Sequence, residues 1–166
     1  MMRKPCRSGA VFAFSLIAFC GSAGMVMAAD ENEAEIASDT AITTVEVGTL
    51  PPQELEEGKC GLFLWTNASE PRLVFVSIND GNARMLINGE DLALARNAAE
   101  GREYLGQFES QSFYSPEMSV VLSMEVERRP TIVDGAVVPS ATLRVTEPNG
   151  WETVIPVGGL IGCGTA

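Results

Sequence analysis

The chain has 166 residues, of which 46% are apolar and 20% charged, and its acids outnumber its bases by 22 to 11. This length predicts one domain with a hydrophobic core of its own. Because the sequence contains no histidine, it excludes Ser-His-Asp catalysis, Cys-His catalysis and histidine-ligated metals. A formal net charge of −11 argues against nucleic-acid binding, which needs clustered lysine and arginine.

Residues 1–28 have the three parts of a secretory signal peptide. A basic start precedes an apolar run from Ala10 to Phe19, and small residues lead to an A-x-A-like cleavage site at 26–28. The run is shorter than the roughly 20 apolar residues of a membrane span. We therefore expect a periplasmic or secreted protein with no transmembrane segment in its mature chain. One alternative is a lipoprotein that is cleaved before, and acylated on, Cys20.

The mature chain that this signal implies is more acidic and holds two cysteines. It keeps 8 bases against 22 acids, a net charge of −14, and its cysteines are Cys60 and Cys163. An even pair of cysteines in an exported protein predicts a disulfide, the alternative being two unrelated buried thiols. With both thiols bridged, no nucleophilic cysteine remains.

Residues 29–54 are predicted to form an acidic, disordered leader ahead of the domain. From Asp30 to Glu57 the sequence has nine acids and no lysine or arginine, and Pro51-Pro52 adds a stiff joint. Low hydrophobicity and charge of one sign favour a solvated chain. Such a leader is either a spacer or an arm that recruits a basic partner.

Residues 55–166 are predicted to form an all-β domain, a small antiparallel barrel or sandwich of seven or eight short strands. The clearest strand spans Met118 to Arg128, where apolar and polar residues alternate. Asp80-Gly81 and Asn88-Gly89 predict turns. The disulfide would join the first strand to the C-terminal segment. Apolar runs between turn signals predict the other strands, at 60–65, 72–78, 83–87, 141–146, 151–155 and 158–163.

Two segments of this domain leave alternatives open. Residues 92–99 are rich in alanine and fit either a strand or a short helix. The stretch from Tyr104 to Tyr114 is more polar than a core strand, so it is interpreted as an edge strand or a binding loop.

Few residues are left that could carry catalysis. Lys59 is the one lysine of the mature chain and lies beside the proposed disulfide. Glu125 and Glu127 could form the carboxylate pair of a small hydrolase, but glutamates that alternate along a strand more often serve solubility. Gly158, Gly159, Gly162 and Gly164 lack the lysine and following helix of a phosphate cradle and predict close backbone packing beside the disulfide. We therefore expect no catalytic residue, no metal and no cofactor.

The segment from residue 83 to residue 104 carries a recognisable pattern. Ala83-Arg-Met-Leu-Ile-Asn-Gly-Glu-Asp-Leu92 is followed by Ala98-Ala-Glu-Gly-Arg-Glu-Tyr104. This order of strand, Asx-Gly turn, strand and small-residue run resembles the middle of the periplasmic and membrane-bound C-type lysozyme inhibitors, over about 22 of the 166 residues. The resemblance implies a small exported β-barrel.

The resemblance also implies a site. In that family a loop enters the lysozyme cleft, and polar residues contact the catalytic carboxylates of the enzyme. Gly101 and Tyr104 match the Ser-Gly-x-x-Tyr motif, whereas Glu100 replaces its serine, and the enzyme's carboxylates would repel a third one. The family uses a lysine from a later strand, whose place Arg128 or Arg129 could take. The implied partner-binding residues are Glu100, Gly101, Arg102, Tyr104 and Arg128.

Charge and resemblance together predict a non-catalytic binding module of the cell envelope that engages a basic protein, with lysozyme-like enzymes as the named partner. Long-range attraction steers an acidic protein toward a cationic one. Two alternatives stay open. One is a structural or assembly component of the envelope that is tethered through its acidic leader, and the other is a small carboxylate hydrolase.

Overall fold

The computed structural model describes residues 45–164, which form a closed antiparallel barrel of eight strands. The strands follow one another around the barrel in chain order, and β8 returns to β1. This confirms the predicted all-β class and strand number, and decides between barrel and sandwich. The strands are β1 (Cys60–Thr66), β2 (Leu73–Ile78), β3 (Asn82–Ile87), β4 (Glu90–Tyr104), β5 (Gln107–Tyr114), β6 (Ser119–Glu127), β7 (Gly135–Thr146) and β8 (Glu152–Cys163).

The barrel interior is filled by the apolar residues that alternate along the strands. On β6, Val120, Leu122 and Met124 are buried, while Ser123 and Glu125 between and beside them are exposed. Burying a side chain of this size stabilises the fold by roughly 1.5–3 kcal/mol relative to leaving it in water. The alternation read from the sequence is therefore the pattern that turns one face of each strand inward.

The first and last strands close the barrel through a disulfide and a glycine. Cys60 faces Cys163 in the register of β1 and β8, and the two are bonded as predicted. Four positions before Cys163 on β8, a Cβ atom on Gly159 would lie 1.9 Å from the carbonyl oxygen of Phe63. Only glycine fits at Gly159, and a Cβ atom on Gly164 would lie 2.5 Å from the carbonyl oxygen of Glu56, so the expected close backbone packing is found at these two glycines. At Gly162 the nearest atom would be 3.7 Å away, which is ordinary contact.

Both ambiguous segments of the domain are strands. Residues 92–99 lie within β4, and the polar stretch after Tyr104 contains β5, which pairs with β4 on one side and β6 on the other. The edge-strand interpretation is therefore wrong, since a closed barrel has no edge. The segment looked too polar for the core because Gln107 and Gln111 are buried there, where the Nε2 of Gln111 donates to the Oε1 of Gln107.

The part of the predicted leader that the structure describes packs against the barrel. Val45 is 5% exposed and joins the cluster inside the barrel, whereas Leu50 is 2% exposed and contacts Leu73 and Val76 outside it. The packed chain thus extends back to residue 45, because two apolar anchors interrupt an otherwise acidic segment. The predicted signal peptide, Cys20 and the rest of the predicted leader lie outside the described residues.

The barrel has two ends that carry different features. The strap end holds residue 45 together with the end of β1 at Thr66 and the start of β8 at Glu152. The hairpin end holds the β2–β3, β4–β5 and β6–β7 connections.

Within residues 45–164, no helix has the length and apolar character of a membrane span.

Candidate functional site

The β4–β5 hairpin reaches across the hairpin end of the barrel. Its register shifts between Glu100 and Glu103, and the extra residues there include Gly101, whose φ is 84°. Irregularities of this kind bend a strand, and the left-handed conformation favours glycine. A two-residue turn at Leu105 and Gly106, both with positive φ, then returns the chain to β5.

The tip of this hairpin is fixed to two other elements, the β2–β3 turn and β7, and to Arg96 on its own strand β4. A Cβ atom on Gly106 would lie 2.5 Å from the Cβ of Asn79, so the tip packs closely on the β2–β3 turn. The carbonyl of Gly106 accepts a hydrogen bond of 2.8 Å from Arg96. On the far side, the hydroxyl of Tyr104 donates to the carbonyl oxygen of Gly135, at the start of β7, over 2.8 Å. The hairpin therefore holds Tyr104 in a defined place.

Arg128 lies over the ring of Tyr104. Its guanidinium carbon is 5.4 Å from the ring centroid, in the range of a cation–π contact, which contributes about 0.5–1 kcal/mol at an exposed site. The residue follows β6 and is exposed. Among residues 45–164 it has no carboxylate within ion-pair distance, so its charge is open to a partner.

The two neighbouring arginines are already paired with carboxylates. Arg102 donates from Nε to Glu109 over 2.7 Å and lowers the pKa of that carboxyl. Arg129 donates from Nε to Glu127 over 3.0 Å, which lowers the pKa of Glu127. A general acid needs a raised pKa, so Glu127 is shifted in the opposite direction from the acid of a carboxylate hydrolase. Of the three cations, Arg128 is the one that remains available.

The β6–β7 connection places apolar side chains beside this cation. Ile132 is 39% exposed and Val133 is 83% exposed. Together with Arg128 and Tyr104 they line an open cleft, and a second cleft on the other side of Tyr104 and Arg128 is bounded by Arg102. Tyr104 and Arg128, here called the Tyr104–Arg128 pair, are thus the shared wall of two clefts.

The structure brings together some of the residues that the sequence singled out and separates one. Tyr104, Arg102 and Arg128 meet at the hairpin end, and Gly101 forms the bend that puts them there. Glu100 is exposed, lies opposite Ser110 on β5, and makes no hydrogen bond or ion pair with Tyr104 or Arg128. The sequence analysis did not single out Ile132 and Val133. Two apolar residues shortly after the consecutive Arg128 and Arg129, in a segment rich in turn residues, could have indicated an exposed apolar loop.

Comparison of this chain with protein-family models, with curated proteins and with solved structures finds no match. No relative therefore indicates a function, and what the site can bind follows from its own side chains. Among residues 45–164, no group of three or more acidic or cysteine residues is placed to hold a metal ion. At this site the groups that a partner can contact are the guanidinium of Arg128, the ring of Tyr104 beneath it and the apolar loop at 132–133.

Proposed function

We propose that the protein is an exported, non-catalytic binding module of the cell envelope that engages a basic protein, and that a lysozyme-like enzyme is this partner. The observation that carries the proposal is the Tyr104–Arg128 pair, with its guanidinium 5.4 Å above the ring. The resemblance of residues 83–104 implies a tyrosine and a cation from a later strand as partner contacts. These two residues are neighbours in the fold although 24 positions separate them in the sequence.

Charge supports this choice of partner at two length scales. At long range, a mature chain with a net charge of −14 attracts a cationic protein and raises its rate of association. At short range, Arg128 offers a guanidinium, which binds carboxylates in bidentate geometry. A basic enzyme with carboxylates in its cleft satisfies both requirements, whereas an acidic partner satisfies only the second.

The surroundings of Arg128 resemble the anatomy of a protein interface. Arginine and tyrosine are enriched among the residues that dominate binding energy, and apolar side chains near them exclude water. Val133 and Ile132 supply that apolar surface on the loop beside the pair. Glu100 is exposed and makes no hydrogen bond or ion pair with Tyr104 or Arg128, so we do not assign it a contact with the partner's carboxylates.

The disulfide and the N-terminal sequence pattern support the proposal that the protein is exported. A bond between Cys60 and Cys163 suits an oxidising compartment such as the periplasm or the extracellular space. The signal-peptide pattern of residues 1–28 points to the same compartments. A binding module that acts on lysozyme-like enzymes would meet them there.

The test is a lysozyme assay on intact cell walls with purified residues 29–166 at low and physiological salt. We expect inhibition that saturates and persists at physiological salt. Arg128→Ala removes a charge-assisted hydrogen bond worth roughly 1.5–3 kcal/mol, so inhibition should weaken about 10-fold or more. The matched control is Arg144→Ala, since Arg144 pairs with Glu152 on the barrel wall and its loss should leave inhibition unchanged.

Two results would contradict the proposal. Inhibition that is absent, or that disappears at physiological salt, would mean only general charge attraction. Equal losses from Arg128→Ala and Arg144→Ala would mean that no particular arginine is recognised. A component tethered to the envelope would instead lose its location when residues 30–44 are deleted, a deletion that ends before the packed residues 45–50.

A further inference from the structure

The wall of the barrel has a slot between β2 and β3. These strands are joined by a short turn, but they pair only at Val76 with Arg84 and at Ser77 with Ala83. Toward the strap end they are no longer bonded to each other. The backbone groups of Leu73 on one strand and of Leu86 on the other therefore need another partner.

Residues 45–50, here called the strap, fill this slot. The amide of Asn88 donates to the carbonyl of Glu46 over 2.8 Å, Val47 forms an antiparallel bridge with Ile87, and the amide of Gly48 donates to the carbonyl of Leu86 over 2.8 Å. The strap thus pairs with the end of β3 in one continuous antiparallel register. Its last amide, that of Leu50, donates across the slot to the carbonyl of Leu73 over 2.7 Å.

The slot selects side chains as well as backbone groups. Val45 enters the cluster inside the barrel and Leu50 enters the cluster outside it, with 5% and 2% exposure. Between them, a Cβ atom on Gly48 would lie 2.5 Å from the Cδ2 of Leu86. The slot therefore accepts an extended segment with an apolar residue, a glycine three positions later and an apolar residue two positions after that.

We propose that this slot is a strand-acceptor site that also takes the strap of a second copy of the chain, so that two copies exchange straps in a reciprocal dimer. The segment that fits the slot is present in every copy, and its bonds and buried side chains are the same whichever chain supplies it. This inference is independent of the proposed function, since the slot opens at the strap end, away from the Tyr104–Arg128 pair.

The first residues after the strap, 51–54, form a hinge suited to such an exchange, and the chain is held again at Glu57, which bridges to Gly164. Residues 51–54 make no backbone hydrogen bond with the barrel, and Pro51 and Pro52 are exposed. Two consecutive prolines keep a segment extended. Within one chain a short connection gives the strap an effective concentration of the order of millimolar. Exchange therefore becomes dominant near that protein concentration, or whenever the hinge is too short to reach the slot of its own chain.

A shortened hinge tests the exchange directly. Deleting Pro52 and Gln53 from the mature chain removes two residues and leaves the pleat order of the strap unchanged. We expect this variant to be a dimer at micromolar concentration by sedimentation analysis, at least 100-fold below the concentration at which the parent dimerises. Adding Leu50→Asp should return it to a monomer. Deleting Ala68 and Ser69 from the exposed β1–β2 loop is the control, and it should stay monomeric.

A peptide measurement decides the question if the shortened chain does not fold. A labelled peptide of residues 45–52 is titrated into the full mature chain carrying Leu50→Asp, whose own strap is weakened. We expect saturable binding, and no binding by the same peptide with Gly48→Leu, because the slot has no room there. A folded, monomeric hinge deletion would overturn the proposal, as would a peptide that does not bind up to millimolar concentration.

Discussion

Cys60 and Cys163 lie directly opposite each other in the antiparallel pair of β1 and β8, with their Cα atoms 3.9 Å apart. They are separated by 103 positions in the sequence, so the bond joins the two strands at which the barrel closes. A covalent link of this span restricts the unfolded chain more than a short loop would.

Removing the disulfide should therefore lower stability substantially. For a loop of about 100 residues the chain-entropy model gives a contribution of up to ~4.7 kcal/mol. We expect the double variant Cys60→Ser, Cys163→Ser to unfold at a much lower urea concentration than the oxidised parent, and to match the parent after reduction. Equal midpoints for the oxidised parent and the double variant would contradict this.

Gly159 should be far less tolerant of substitution than Gly162, three positions later on β8. In Gly159→Ala the new methyl group would meet the carbonyl oxygen of Phe63 at 1.9 Å, whereas in Gly162→Ala the nearest atom is the Cδ1 of Leu160 at 3.7 Å. Overpacking typically costs 1–3 kcal/mol and occasionally more. Thermal unfolding should show a large loss for Gly159→Ala and a small change for Gly162→Ala, and similar losses would refute the close approach of β1 to β8.

Two substitutions of Tyr104 should distinguish the contribution of its hydroxyl to stability from the contribution of its ring to binding. Tyr104→Phe loses the hydrogen bond to the carbonyl of Gly135, which we expect to cost about 1 kcal/mol of stability, but it keeps a ring beneath Arg128. Tyr104→Ala loses both. Urea unfolding should thus detect both variants, whereas affinity for lysozyme should fall only for Tyr104→Ala. Loss of affinity in Tyr104→Phe would show that the hydroxyl, not the ring, matters for binding.

Asp80 should contribute to the acid sensitivity of the fold. The backbone amide of Asn82 and the ammonium of Lys59 hold the pKa of this carboxyl below its ordinary 3.8. A carboxylate with a lowered pKa in the folded state stabilises the fold above its unfolded pKa and loses that contribution as the pH falls through its folded pKa. Stability should therefore fall below about pH 4, and less steeply in Asp80→Asn. Glu70→Gln in the exposed β1–β2 loop is the control, and an equal effect from both variants would contradict the role of Asp80.

The strand pattern could be predicted because it is local. Alternation on β6 and the Asx-Gly turns depend on neighbouring residues, and each of these predictions is confirmed. Closure of the sheet into a barrel depends on how β8 meets β1, which no local pattern reports. The buried pair Gln107 and Gln111 misled the sequence reading because polar residues in a core are detectable only once their partners are known.

The strap and the site show the same limit for longer-range contacts. Val45 and Leu50 belong to a segment that is acidic on average, and two apolar residues do not change that average. The pairing of Tyr104 with Arg128 depends on the bend at Gly101 and on the order of strands around the barrel. The resemblance to the inhibitor family identified Tyr104 and Arg128 one by one, but their contact could be seen only in the folded structure.

The strap and the Tyr104–Arg128 pair occupy opposite ends of the barrel. The nine residues of β6 that run between these ends measure about 30 Å at roughly 3.3 Å per residue. The barrel wall therefore separates Arg128 from residue 45, where the described part of the chain begins, by about the length of one strand.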